Sequence, residues 1–559
     1  MDYKNTSNDT QIHVTIIDDG VNDGLYKPIY LENDIEIGSN LIVSKRKVHQ
    51  RENISHGTVC AAIIQKYSSC TTFTSIKILN EKEKSTMAQL IKGISWCIEN
   101  NINLIHLSLG SIDYRDYLDI KSIINTAYKK GIVIVAAYSN KNIITYPACL
   151  SNVIGVKCDK KNLLKSNNYI YNRYPFDRIE ITTNSKHILI DCFGNEIETS
   201  VSNSFAAPVI TAAVYEMMCK YKNISFEEIQ NHLRVNENNL NKDVFLKDYY
   251  PNFYKEIDWA ENCIMFVISE TEPNIVQDNL CINLKDVVFI KGSAFSDIFQ
   301  YINKYIEEYD NIFNSIDTII IYNENCIGKF NNEDIICMNN MLDFPVNIIY
   351  MDDNYNSFNP ILLKHKLKTK VWHPLISNYC DLDLENSCDI PVPIINIYNY
   401  GISGANHIIY SLSQQFKDNG YSVLSLSNEC FDIIGGFKFI PLTQDKGIIK
   451  MSNVDLLSKL YELYDSDLII CNSRLLNKDD NTIVNITNNV KADIYILLVP
   501  QNISHEDLIK HLNFNDEELI IISEKHIDKV NMRIKVFDYA NENLKFDLYN
   551  YIIFLLTGC

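Results

Sequence analysis

The sequence predicts an α/β fold: a parallel-sheet domain followed by one or two further α/β domains. Three observations carry this. Over the first ~235 residues, short β-branched runs alternate with amphipathic helical runs, the pattern of βαβ units. After a polar break the alternation restarts and runs to the C-terminus. The chain has 559 residues, too many for one core, and asks for two to four domains of roughly 150 residues each.

In order, HVTIID (13–18) reads as a buried strand, HGTVCAAIIQKY (56–67) as a helix, and FTSIKIL (73–79) as a strand. MAQLIKGISWCIEN (87–100) is an amphipathic helix, INLIHLSLG (102–110) a strand, LDIKSIINTAYKKG (118–131) a helix, and IVIVAAYSN (132–140) a buried strand. SFAAPVITAAVYEMMCKY (204–221) is apolar on nearly every side, as expected of a helix in the middle of a core. Residues 1–235 form the first domain on this reading.

The polar, aromatic stretch from 236 to 263 reads as a linker into a middle α/β domain, 236–385. Its strands are CIMFVIS, VVFIKG, TIIIYN and VNIIYM, with SDIFQYINKYIEEYD as a helix. DLDLENSCDIPVP (381–393) marks the next boundary. The last domain, 386–559, opens with the strand PIINIYN, then a turn and helix in GISGANHIIYSLSQQFKDNG. YSVLSLSN, DLIICNS, DIYILLVP and ELIIIS continue it as strands, giving a Rossmann-like alternation.

Composition excludes several classes. With 51 basic and 70 acidic residues the net charge is −19, which disfavours nucleic acid as the partner, since phosphate binding needs clustered cations. The 16 cysteines are scattered and no C-x-x-C pair occurs, so neither a disulfide framework nor a zinc site is expected, and H-E-x-x-H is absent. The N-terminus lacks the apolar core of a signal peptide, and the tail YNYIIFLLTGC is shorter than a membrane span. A cytoplasmic protein without a membrane partner is the expectation.

Four short segments of the first domain hold chemistry-bearing residues. Asp18 ends a strand, His56 begins a helix, Asn140 ends a strand, and Ser202 or Ser204 begins another helix. Singly, each has a structural role: Asp-Gly turn, helix cap, strand-end Asn, helix cap. Together they supply an acyl-transfer site: a nucleophile, its base, a carboxylate to orient that base, and a donor for the oxyanion. In a parallel sheet, strand C-termini and helix N-termini share one edge, where ligands bind.

VTIIDDGV, SHGTVCAA, SLGS, YSNKNIITYPA and SNSFAAP resemble, in that order, the motifs of the subtilisin-like serine peptidases. The order Asp, His, Ser is that of subtilisin, and here the intervals are 38 and 148 residues. The resemblance covers residues ~10 to 235 and implies a subtilisin-like fold with the following roles. Ser204 attacks the scissile carbonyl, His56 takes its proton, and Asp18 orients the imidazole. Asn140 and the Ser204 N–H stabilise the oxyanion. Ser108, Leu109 and Gly110 match the strand that pairs with an extended peptide substrate. The S-x-A-x-P frame selects Ser204 among the nearby serines and places Pro208 in the first turn of its helix, where a missing N–H is tolerated. His106 is expected to be a buried, hydrogen-bonded ring rather than a catalyst.

Two departures stand out. Asp19 replaces the family's Ser or Thr, setting a second carboxylate beside the first. Ser202-Asn203 replace the family's Gly-Thr, putting a side chain where the substrate passes. An active peptidase is the expectation; the alternative is a weak or inactive peptide-binding relative. Only 17 residues precede Asp18, so no prodomain is expected. No cofactor is expected; calcium sites occur in the family, but no ligands map onto this sequence.

In the last domain, Gly401 and Gly404 open a phosphate-loop-like turn, but Ala405 and Asn406 stand where Lys and Ser/Thr belong. The turn is read as degenerate. The stretch through GYSVLSLSNECFDIIGGFKFIP resembles a domain of bacterial peptide-maturation systems. That resemblance implies leader removal from a ribosomally made precursor peptide, with other peptide-maturation proteins as partners.

Overall fold

In the computed structural model, nine strands in the first ~250 residues lie in one sheet whose centre is apolar on both faces. The structure describes residues 12–235, apart from 27, 48–51, 81, 83, 173 and 174. Beyond them it describes 256–291 (except 271, 273, 274 and 276), 301–305 (except 303), 315–324, 346–352, 369–374, 390–440 (except 403), 453–474, 491–501, 519–524 and 534–558. Most of the expected linker, most of the expected helix SDIFQYINKYIEEYD and most of the segment 381–393 lie outside the described residues. Two compact units emerge, Met1–Pro251 and Asn252–Cys559.

The first unit contains β1 (Val14–Asp18), β2 (Tyr30–Ile37), β3 (Val43–Lys45), α1 (His56–Tyr67), β4 (Thr72–Lys77), α2 (Met87–Glu99) and β5 (Leu104–Leu107). These are followed by α3 (Tyr117–Lys129), β6 (Val133–Ala137), β7 (Ile154–Cys158), β8 (Tyr169–Tyr171) and β9 (Ile181–Thr183). A hairpin of β10 (Ile188–Ile190) and β11 (Glu196–Glu198) precedes α4 (Asn203–Lys220) and α5 (Phe226–Val235).

The sheet order is β3-β2-β4-β1-β5-β6-β7-β9-β8, and β2, β4, β1, β5, β6, β7 and β9 run parallel. Strand order reverses between β1 and β5, so their C-terminal ends open the crevice where such sheets bind ligands. Alternate residues of β1 serve two layers. Val14 and Ile16 join the core formed with α1, α4 and α5, while Ile17 meets Gly93 of α2 on the other face. The eighteen-residue α4 is buried at Ala206 through Ala212 and at Val214, in keeping with its apolar sequence.

The second unit holds two all-parallel sheets. One comprises β12 (Asn262–Ser269), β13 (Asn283–Lys291), β14 (Thr318–Asn323), β15 (Asn347–Asp352) and β16 (Val371–Trp372), in the order β13-β12-β14-β15-β16. The other comprises β17 (Ile394–Asn399), β18 (Val423–Ser427), β19 (Lys438–Phe439), β20 (Leu468–Arg474), β21 (Ile494–Val499), β22 (Leu519–Ser523) and β23 (Lys535–Asp538). Its order is β19-β18-β20-β17-β21-β22-β23.

Helices α6 (Asn406–Asp418) and α8 (Leu544–Thr557) pack on that second sheet, and α7 (Asn453–Tyr464) precedes β20. The apolar C-terminal tail is thus a core helix, buried at Leu544, Leu548 and Ile552. Among the described residues, no helix is long and apolar enough to cross a membrane. In the glycine turn before α6, Asn399 Oδ1 accepts the N–H groups of Gly401 and Ile402, each at 3.0 Å. A carboxylate, Asp432, is fully buried next to β18 and accepts from Asn406, Tyr410, Ser427 and Asn472.

Candidate active site

Asp18 is the last residue of β1 and is 1% exposed. His56 is the first residue of α1. Their side chains meet directly, His56 Nδ1 to Asp18 Oδ2, at 2.7 Å. Ser55 caps α1, its hydroxyl accepting the Thr58 N–H at 3.3 Å. Asp19 also holds this end of the helix. Its two carboxylate oxygens accept the N–H groups of His56 (2.9 Å) and Gly57 (2.8 Å). Burial, followed by the Asp18 charge, raises the Asp19 carboxyl above its ordinary value. The second carboxylate therefore sits on orphan N–H groups at a helix N-terminus and fixes the imidazole's backbone.

Ser204 is the second residue of α4. The ring of Phe205, next in the chain, lies 5.3 Å from the His56 ring between centroids. The helix begins at Asn203, so Pro208 is its sixth residue, beyond the first turn where the sequence had placed it. The missing Pro208 N–H leaves the Ser204 carbonyl without its intrahelical donor. Ser108, just past β5, supplies the replacement: its hydroxyl donates to Ser204 O at 3.0 Å, with the Cys60 thiol 3.7 Å away. The Ser204 hydroxyl in turn lies 3.5 Å from Ser108 O.

His106, one side-chain layer below, touches Ser108 Oγ through Nε2 and Thr211 Oγ1 through Nδ1, both at 2.8 Å. The ring is fully buried, which lowers its pKa from 6.5 to about 3. His187 is a second neutral ring, lowered to about 4 chiefly by burial, with Nε2 2.9 Å from Phe205 O and Nδ1 2.9 Å from the Tyr67 hydroxyl.

Both histidines must take a proton in the unfolded chain below pH 6.5 but not in the folded one. Stability is therefore present above that pH and falls as pH drops towards their folded values. Urea titrations from pH 6.5 to 4 should show this decline. His106→Asn should flatten it by up to one proton. An unchanged slope in the variant would contradict a neutral His106.

Asn140 lies in the turn after β6 and is exposed. Its Oδ1 accepts the Asn203 N–H at 3.0 Å, which orients the amide so that Nδ2 points to Ser202 Oγ at 3.3 Å. Ser202, in extended geometry (φ −154°, ψ 144°), is the N-cap of α4 and accepts the Ser204 N–H at 3.3 Å. Asn203 is buried and bridges two strand ends, accepting from Cys158 N (2.8 Å) and donating to Ser139 O (2.9 Å).

Ser108 and Leu109 are half-buried and Gly110 is exposed. Beyond them Ser111 pairs with Tyr146, each N–H donating to the other's carbonyl at 2.8 Å. A Cβ on Gly110 would sit 2.5 Å from Tyr146 O, so only glycine fits this close approach.

Asp18, His56, Asn140, Ser204 and the 108–110 segment thus cluster on one edge of the sheet. The sequence offered Ser202 or Ser204 as a helix cap and His106 as a buried, hydrogen-bonded ring, and the structure shows Ser202 capping α4 and His106 buried on two hydroxyls. The sequence did not reveal Asn203 as a clamp, the buried His187 beneath α4, or Cys60 close to the site. Asp18, His56 and Cys60 each offer an atom within 4.8 Å of the others. Burial pushes the Cys60 thiol well up, which keeps it protonated and a poor metal ligand.

The model of the Subtilase family matches residues 9–249. Subtilisin DY of Bacillus licheniformis is 24% identical over 248 residues, covering 41% of this chain and 84% of that protein. A thermostable alkaline protease of Halalkalibacterium halodurans is 25% identical over 211 residues, covering 36% of this chain. The chain spans 56% of that relative's length. A solved lanthipeptide protease is 17% identical over 40% of this chain and 79% of that one, with a TM-score of 0.33.

Proposed function

We propose, since residues 9–249 of this chain belong to the subtilase family, that its serine peptidase domain cleaves internal peptide bonds through an acyl-enzyme, with Ser204, His56 and Asp18 as the reacting triad. The 2.7 Å bond between His56 Nδ1 and Asp18 Oδ2 carries this reading. It leaves Nε2 as the base, on the edge where α4 presents Ser204. Ser204 Oγ attacks the carbonyl carbon as its proton passes to His56 Nε2. The C–N bond then breaks, and the same proton leaves with the amine. Water repeats the sequence on the acyl-enzyme and frees the carboxylate and Ser204. The developing oxyanion is received by the Ser204 N–H and Asn140 Nδ2.

The substrate is an extended peptide running along Ser108, Leu109 and Gly110, pairing by backbone hydrogen bonds. We assign it to the leader region of a ribosomally made precursor, cut inside the cell. The resemblance of residues ~390–559 to a peptide-maturation domain supports the substrate class. The eleven cysteines among the described residues, all thiols and eight of them buried, support a reducing compartment. No metal or other cofactor takes part in the proposed chemistry. A fluorophosphonate probe tests the reading: wild type should be labelled and Ser204→Ala should not. Equal labelling of both, or of neither, would refute it.

A further inference from the structure

The N-cap of α4 and the proposed oxyanion site use the same donors. An N-cap hydroxyl accepts a backbone N–H in the first turn of its helix, and here that N–H belongs to Ser204. The second group directed at Ser202 Oγ is Asn140 Nδ2, at 3.3 Å. The amide cannot turn away freely, because its Oδ1 holds the Asn203 N–H at 3.0 Å and lies 3.4 Å from the Ser202 hydroxyl. Ser202 Oγ thus stands where both donors converge, in the position a carbonyl oxygen of the substrate would take.

We propose that the Ser202 hydroxyl is a competitor for the oxyanion site and thereby a specificity-determining group. This rests on the reading of Asn140 and Ser204 N–H as the oxyanion donors. A substrate carbonyl must displace Ser202 Oγ from both donors before it can be polarised. The cost adds to the chemical step for every substrate, but it lowers kcat/KM least for a peptide held along Ser108–Gly110 by several backbone hydrogen bonds, because such a peptide reacts faster than it dissociates and chemistry then no longer limits kcat/KM alone. Short peptides lack those contacts. The side chain therefore selects long, extended substrates over short ones, at a position where the family usually has glycine.

Ser202→Gly separates this role from that of a cap. Glycine is itself a tolerated N-cap, costing only a few tenths of a kcal/mol relative to serine, so the variant keeps its fold while losing the hydroxyl. Steady-state kinetics on a short chromogenic peptide and on a peptide of about twelve residues, with the rate of fluorophosphonate labelling, give the readout. The expected result is a rise of about three- to tenfold in kcat/KM for the short peptide and in labelling rate, the size of one net hydrogen bond. The longer peptide should gain less, so the preference for length narrows. Ser202→Ala should show the same kinetic gain with a lower Tm.

An active wild type whose Ser202→Gly variant is no faster overturns the inference and leaves the peptidase reading intact. So does a slower variant, which would make the hydroxyl a third donor. Wild type and both variants all inert to the probe overturn the two readings together. A variant that labels where wild type does not supports the inference in its strongest form.

Discussion

His56→Ala should lower kcat on a peptide substrate by about a millionfold, the loss seen when the corresponding group is removed from subtilisin. The size follows from what remains. Without an imidazole at the start of α1, Ser204 loses the base proposed for it, and Asp18 faces the position the ring occupied. Residual turnover, about 10³–10⁴ over water, should come from substrate binding and the oxyanion donors alone. The revealing measurement is the double variant His56→Ala/Ser204→Ala. If the two residues act as one unit, its kcat should match that of either single variant within a few fold. Losses that multiply would show that the residues act independently.

Asp18→Asn should cost about 10⁴ in kcat with little change in KM. The 2.7 Å contact requires His56 to donate from Nδ1. An asparagine facing that nitrogen with its NH₂ stabilises the opposite tautomer, placing the proton on Nε2, where the base is needed. The carboxylate also accepts the Asp19 N–H at 2.8 Å, and the asparagine oxygen can keep that bond. Stability should therefore change far less than rate, and a urea midpoint measured beside kcat distinguishes the two. A variant that retains more than a tenth of the wild-type kcat would remove Asp18 from the proposed triad.

The central elements were legible because their signals are strong and local. HGTVCAAIIQKY follows Ser55 and becomes α1 with the bounds read from the sequence. The buried strands β1, β5 and β6 lie inside the apolar runs that announced them, shortened at their ends where polar turns begin. The strand β2, next to the edge strand β3, was not legible, because YLENDIEI is mostly half-exposed and carries four acidic or amide residues. The three-residue strands β8 to β11 are too short for any periodicity to show. The α5 sequence FEEIQNHLRV buries only one narrow face.

In the site, the residue types at strand ends and helix starts pointed to a common edge. The sequence also marked Ser202 as unusual, but its conflict with the oxyanion donors depends on a side-chain direction that no residue spacing encodes. Pro208 is similar. Its identity was plain, while its consequence for the Ser204 carbonyl needed the first residue of α4 to be known.

Among the described residues, donors to Asp432 come from 406, 410, 427 and 472, so the group that satisfies this carboxylate is drawn from most of the span between β17 and β20. A fragment that stops short of Asn472 would have to bury a charge with part of its solvation missing, or leave the site open to water. That makes this stretch a poor place to divide the chain. Shortened versions of the second unit need to keep residues 394–474 together.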